Sequence, residues 1–170
     1  LFDAYEQRIF KTACFILKDN QYAKNVVQDT FQQIYLKIKK LPSIKAFEIW
    51  LFKITVSICY TYTKRECEDS DTLAYERNKM PSPNSGDSFE AADNMEVRKD
   101  TKKRILENIC ELPVYYRTVL TLFYYNELNI EDIAEVMNCS EDTVRSRLFF
   151  SKKKLKNALV VQGISLAPTC

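Results

Sequence analysis

The stretch NIEDIAEVMNCSEDTVRSRLFFSKKKLKNAL (residues 129–159) decides the fold. Asn129 is a good helix N-cap, with Asp132 three positions on, close to a capping box. Ile130, Ile133, Ala134 and Met137 then fall on one helical face. Asn138-Cys139 interrupts that face, and Asn tolerates the left-handed backbone that a tight turn needs. Ser140 caps a second helix, with Glu141 and Asp142 in its positive first turn. Val144, Leu148, Leu155 and Leu159 form the buried stripe of this second helix. Two short helices joined by so tight a turn read as a helix-turn-helix.

Opposite the stripe lie Asp142, Ser146, Phe149, Phe150 and Lys153, flanked by Thr143 and Arg145. In a helix-turn-helix such a face enters the major groove. Lys152, Lys153, Lys154 and Lys156 are placed to sit against phosphates. A plain helical hairpin with a solvated basic face is the competing reading. The Phe149-Phe150 pair weighs against it, because aromatics on a polar face want a partner.

Outward from this segment the chain keeps the helical period. Tyr5, Ile9, Ala13 and Ile16 share a face over 2–17, and Val27, Phe31, Ile34 and Ile38 over 22–39. Leu41-Pro42-Ser43 stops the second run, because Pro cannot continue a helix. A third helix is expected over about 46–65, with Phe47, Leu51, Ile54 and Ile58 inward. Val97 restarts the pattern, Leu112-Pro113 turns it, and a further helix is expected over 114–125. With two Gly and five Pro in 170 residues, turn-forming residues are too few for a sheet-rich fold. The expected fold is all-α.

The charge divides the chain in three. Residues 1–66 carry 11 basic and 6 acidic side chains, 67–98 carry 3 and 8, and 99–170 carry 11 and 9. Two basic blocks flank an acidic connector, a layout that suits two modules on a polyanion. The connector loses the helical period, and its Met80-to-Ser88 core has the composition of a flexible linker. The expected organisation is a first domain at 1–66, a linker at 67–96, a second domain at 97–162 and a tail at 163–170. The two domains are expected to move independently when the chain is free.

Catalysis finds little footing here. The chain has no His and no Gly-rich phosphate loop, so a small helical enzyme is a poor reading. The six cysteines form no C-x-x-C pair, so neither a metal nor a cofactor is expected. Most of those cysteines sit among apolar residues and read as core fillers. The longest apolar run, 49–59, is interrupted by Lys53, and there is no secretory pattern; the expected location is the cytoplasm. The chain opens on Leu1 and not Met, which suggests a trimmed or unseen start.

Two separated sets of residues carry a resemblance. Ala23-Lys24-Asn25-Val26-Val27-Gln28-Asp29-Thr30-Phe31 resembles the polymerase-binding helix of bacterial sigma factors. Phe47-Glu48-Ile49-Trp50-Leu51-Phe52-Lys53-Ile54 resembles the promoter-melting helix that follows it. Leu112-Pro113-x-x-x-Arg117-x-Val119-Leu120, with Asp132-Ile133-Ala134 and Thr143-Val144-Arg145-Ser146-Arg147-Leu148, resembles the domain that reads the upstream promoter element. The chain thus resembles an extracytoplasmic-function sigma factor of the sigma-70 family over nearly its whole length. Both sets, in this order across such a linker, are far more specific than either alone.

The resemblance implies two domains, sigma domain 2 and the helix-turn-helix sigma domain 4, and a role in directing core RNA polymerase to promoter DNA. It places Val27, Gln28, Asp29, Phe31 and Gln32 at the clamp helices of the polymerase, with Val27 and Phe31 also serving the core on their inner sides. It assigns a captured base of the downstream (−10) element to the loop that holds Leu41, Ser43, Lys45 and Phe47. The polar stripe Lys53, Ser57, Tyr60 and Lys64 lies on the following helix; a merely solvated face is the alternative there. Trp50 goes mainly to the core. Thr143, Arg145, Ser146, Arg147, Phe149 and Phe150 fall to the upstream (−35) element, with Lys152, Lys153 and Lys154 on phosphates. An anti-sigma partner, often membrane-anchored, is also implied. Lys24 and Asn25 replace the usual acidic residues, Ser57 stands where many relatives have Asn, and Phe150 where Arg is common. These departures bear on the promoter sequence and not on the class. The main rival is a stand-alone helix-turn-helix regulator, which leaves the motifs of the first domain unexplained.

Overall fold

The computed structural model describes residues 2–40, 46–69 and 95–161, and side chains within 5–39, 46–64 and 103–161. All regular structure among them is helical. Helix α1 spans Phe2–Leu17 and α2 Asn20–Lys37, closed by a 3-10 turn at Ile38–Lys40; α3 spans Phe47–Asp69. After the connector come α4 (Met95–Glu111), α5 (Val114–Leu120), a π-helical turn (Thr121–Tyr125), α6 (Ile130–Met137) and α7 (Glu141–Val161). Helix α3 runs three residues past the boundary expected at 66, and α4 starts two before 97. The rest of the linker, the tail and the loop residues Leu41, Ser43 and Lys45 lie outside the described residues.

The first unit is a hairpin, α1–α2, with α3 laid against both. Lys18 ends α1 in the left-handed region (φ 63°), its N–H 2.8 Å from the Cys14 carbonyl. Asp19 caps α2 by accepting from Tyr22 N at 2.8 Å. Ile9, Val27, Ile34, Phe47 and Leu51 close one part of the interior. The inward face of α3 is wider than periodicity implied. Phe52, Val56 and Cys59 are fully buried beside Leu51, while Ile54 and Ile58 are half-buried. The cause is tertiary: α3 is covered by α1 and α2 and also by α6 of the second unit.

In the second unit the expected helix over 114–125 changes hand-hold midway. The hydroxyls of Thr118 and Thr121 bond back to Val114 O (2.8 Å) and Arg117 O (2.9 Å), a habit that bends helices. The backbone then widens into the π turn, closed by Asn126 N on Thr121 O at 3.0 Å. Asn129 accepts from Asp132 N at 2.7 Å, Asn138 adopts φ 50° and ψ 52°, and Ser140 Oγ receives Thr143 N at 3.3 Å. Each helix-turn-helix cap read from the sequence is therefore formed.

The two units share one interior. A continuous buried cluster runs from Ala13, Ile16, Val26, Phe52 and Val56 into Val119, Leu122, Ile133 and Val144. The two units pack on one another through this apolar interface, with α6 against α3.

Candidate nucleic-acid interface

Helix α7 carries the first candidate surface. Val144, Leu148 and Leu159 are buried, with Leu155 half-buried. This leaves Asp142, Arg145, Ser146, Phe149, Phe150 and Lys153 outward, and Thr143 partly so. Phe149 is 62% exposed and Phe150 49%, stacked edge to face at 5.5 Å. Arg145 is held by Glu141 one turn back at 2.9 Å, an exposed pair that costs little to release. Arg147 faces another way: its guanidinium lies over the Tyr115 ring at 4.9 Å and is half-buried. Lys152 sits over Phe123 and Tyr124, and Lys154 over Tyr116. Their ammonium groups border the α7 face, anchored by rings, while Lys153 reaches into solvent.

The second candidate surface belongs to α2 and α3. Gln28 and Gln32 are exposed on α2; Val27 is buried and Phe31 half-buried, as their inner faces require. Asp29 is half-buried and accepts from the Tyr62 hydroxyl at 2.8 Å, which ties α2 to α3. A crevice of about 770 Å³ opens beside this pair, with Trp50, Lys53, Ser57 and Glu135 among its lining residues. Trp50 packs on Phe47 and is half-buried. Phe47 needs a correction. Of its two expected places, inward on the third helix or beside a captured base, it takes the first: it is only 8% exposed and packs edge-on against Tyr5 at 5.6 Å. As the first residue of α3, its ring faces the α1–α2 hairpin and fills the core.

The stripe on α3 is divided. Ser57 and Lys64 are exposed, Lys53 pairs with Glu135 of α6 at 3.8 Å, and Tyr60 turns under the second unit. The Tyr60 ring meets Tyr115 edge to face at 5.1 Å, and its hydroxyl is buried beside Thr118. Burial pushes the Tyr60 hydroxyl up to about 12.

Between the units lies a polar cluster that sequence reading did not single out. Arg117, 7% exposed, donates to the Leu112 and Cys110 carbonyls of its own unit and to Ile16 O of α1. Asn126 Nδ2 donates to Thr12 Oγ1 at 3.0 Å, both residues being buried. Arg8 joins Glu48 and the Asn126 carbonyl. The available signal was polar residues on otherwise apolar faces.

Residues 1–67 match the family described as Sigma-70 region 2, and residues 102–155 match Sigma-70, region 4. The two regions thus stand in the order of the two helical units. The chain belongs to the sigma-70 family. It is 28% identical to the ECF RNA polymerase sigma factor SigM of Bacillus subtilis, over 97% of this chain and 96% of that one. It is also 28% identical to the RNA polymerase sigma-H factor of Pseudomonas aeruginosa, over 91% of this chain and 82% of the other. In fold it resembles the sigma factor RpoE solved in complex with the anti-sigma factor NepR from Bartonella quintana. The TM-score is 0.69 at 22% identity, covering 93% of each chain.

This sigma factor directs RNA polymerase to promoters. Helix α2 exposes more than the residues singled out in the sequence: Tyr35 is 83% exposed and Leu36 65%. Tyr35 lies seven residues after Gln28 and Leu36 four after Gln32, so they extend that face by a turn. Large apolar groups left outside the core on α2 were the missed signal. Among the described residues, no group of His, Cys, Asp and Glu side chains could hold a metal. No described helix is long and apolar enough to cross a membrane.

Proposed function

We propose that α7 reads the upstream element with Thr143, Arg145, Ser146, Phe149 and Phe150, while Lys152, Lys153 and Lys154 hold phosphates. Lys53, Ser57, Tyr60 and Lys64 of α3 engage the opened downstream element together with the loop that carries Leu41, Ser43 and Lys45. Gln28, Asp29, Gln32, Tyr35 and Leu36 meet the polymerase clamp helices. Arg147 acts as a positioning residue on Tyr115. The observation that carries this reading is the exposed Phe149–Phe150 pair on an otherwise polar helix that is correctly capped for groove entry.

The mechanism is binding and remodelling, and nucleotide chemistry stays with the polymerase. Extruding a base costs a few kcal/mol of stacking, which polymerase contacts and the captured base offset. An anti-sigma partner takes the same exposed groups, with Phe149, Phe150 and Tyr35 as anchors. Exposed aromatics of this kind dominate many interface centres, and the structural relative was solved with such a partner. The protein works in the cytoplasm, where polymerase and promoter are found.

Site-specific photocrosslinking in the holoenzyme tests the assignment. A photoreactive group at Phe149 should label upstream duplex, and one at Ser57 the downstream non-template strand. Exchange of the two labelling patterns, or labelling of neither, contradicts the placement.

A further inference from the structure

We propose, resting on the placement of α7 in the upstream major groove, that Phe150, with Phe149 beside it, reads the 5-methyl group of a thymine in the upstream element. One position of that element is then chosen by a methyl group and not by a hydrogen bond.

The two rings form one apolar patch. They stand edge to face with planes at 76°, an arrangement that aromatic pairs prefer, so each steadies the other without leaving solvent. Their exposed neighbours on the face, Arg145, Ser146 and Lys153, are polar. Phe150 follows Ser146 by one turn and Asp142 by two. With Asp142, Thr143 and Ser146 it lines a shallow hollow of about 360 Å³ on the groove-facing side of α7. The hollow is polar at the start of the helix and apolar at Phe150.

A phenyl ring has no donor and no acceptor. In the major groove guanine, cytosine and adenine present hydrogen-bonding atoms, while thymine adds a 5-methyl group. A ring laid on guanine O6 or cytosine N4 leaves a desolvated polar atom without a partner, which costs free energy. A ring laid on the methyl group buries apolar surface and gains it. Phe150 thus favours thymine by attraction and disfavours the other bases by exclusion. Four residues of helix rise about 6 Å, or about two base-pair steps, so the thymine lies within about two base pairs of the pair met by Ser146.

The rival account keeps the two rings for a protein partner alone. The two accounts differ on naked promoter duplex. A protein anchor is indifferent to a methyl group on the DNA, whereas a methyl reader responds to its removal and accepts the same group on another pyrimidine.

The test uses holoenzyme made from the full chain and core polymerase. It first selects duplexes from a library randomised in the upstream element, and the selected element should hold a fixed thymine. Competition binding then compares that duplex with copies carrying deoxyuridine, cytosine or 5-methylcytosine at the same position. Deoxyuridine lacks only the methyl group and should bind about fourfold more weakly, the worth of one buried methyl. The 5-methylcytosine copy should bind tighter than the cytosine copy by a similar factor. Phe150→Ala, at an exposed site, should bind the thymine and deoxyuridine duplexes alike. Phe150→Arg, put through a fresh selection, should exchange the thymine for guanine, which Arg meets through O6 and N7. The proposal is overturned by a selected element without a fixed thymine, by equal binding of thymine and deoxyuridine in the wild type, or by a deoxyuridine penalty that persists in Phe150→Ala. Arg145→Ala separates this from failure of the α7 placement. If the placement fails, neither Arg145→Ala nor Phe150→Ala changes the selected element; if only the methyl reading fails, Arg145→Ala still relaxes it.

Discussion

The Arg117 guanidinium, near the middle of α5, reaches the carbonyl of Ile16 at the end of α1, 101 residues earlier in the chain. The same side chain also closes the Leu112-Pro113 turn through Leu112 O and Cys110 O. One planar fork therefore serves three carbonyls, a geometry that Lys cannot reproduce. Arg117→Ala leaves buried acceptors unmet and should cost about 2–3 kcal/mol of unfolding free energy. Arg117→Lys should recover less than half of that. Urea denaturation at neutral pH checks both.

Base reading and phosphate holding should separate on α7. Arg145 is exposed near the start of the helix and restrained only by Glu141. Its loss should cost about 1–3 kcal/mol on the preferred upstream sequence and relax that preference. Lys153→Ala should weaken all sequences alike and flatten the salt dependence. Competition of specific against random duplex for the holoenzyme measures the difference. Equal losses on both DNAs for Arg145→Ala would make it a phosphate contact.

On α2, Asp29 is a poor choice for a contact test, because its carboxylate also holds the Tyr62 hydroxyl. Gln28→Ala with Tyr35→Ala touches only exposed side chains. Truncating an aromatic interface anchor costs about 2 kcal/mol or more where it is a hot spot. The double variant should therefore lose core-polymerase affinity without losing thermal stability. Unchanged affinity in a fluorescence-anisotropy titration would move the polymerase contact off this face.

Alkaline pH should weaken the fold in a defined window. Burial, with the Asp19 carboxylate adding to it, pushes the Cys14 thiol up to about 11; burial raises Cys59 further, and Tyr60 to about 12. Each group is held protonated in the folded chain and ionises more easily when unfolded, from its ordinary value of 9.0 for the thiols and 10.0 for Tyr60. Their contribution is complete below pH 9 and declines as pH rises through 9 to 11. Melting temperature should fall over that range. At pH 8 a thiol reagent should leave Cys14 and Cys59 unmodified in the native protein, since the thiolate is the reactive form. Rapid labelling of either at pH 8 would contradict the burial described for them.

The helix-turn-helix was legible residue by residue, because caps are local: Asn129, Asn138 and Ser140 act within three positions of themselves. The α1–α2 pattern was legible because each helix buries one stripe. The inward face of α3 was only half legible. Period alone cannot see that a helix is covered from two sides, so Phe52 and Val56 were missed. The π turn escaped because it follows from paired threonine back-bonds that leave the apolar period intact. The contacts between the units were illegible for another reason. Lys53 meets Glu135 and Thr12 meets Asn126 across 82 and 114 positions, and each partner alone reads as an ordinary polar side chain. Phe47 is a case where motif placement and core demand competed for one ring, and the core won.

The central claim is that this chain programs core RNA polymerase for promoters. Multi-round run-off transcription, with purified core polymerase, the full chain and a genomic fragment library, tests it most directly. The account predicts discrete transcripts that appear only when chain and core are both present, starting downstream of shared upstream and downstream elements. Tight binding of the chain alone to palindromic duplex, with no chain-dependent transcript, would contradict it and favour a stand-alone helix-turn-helix regulator.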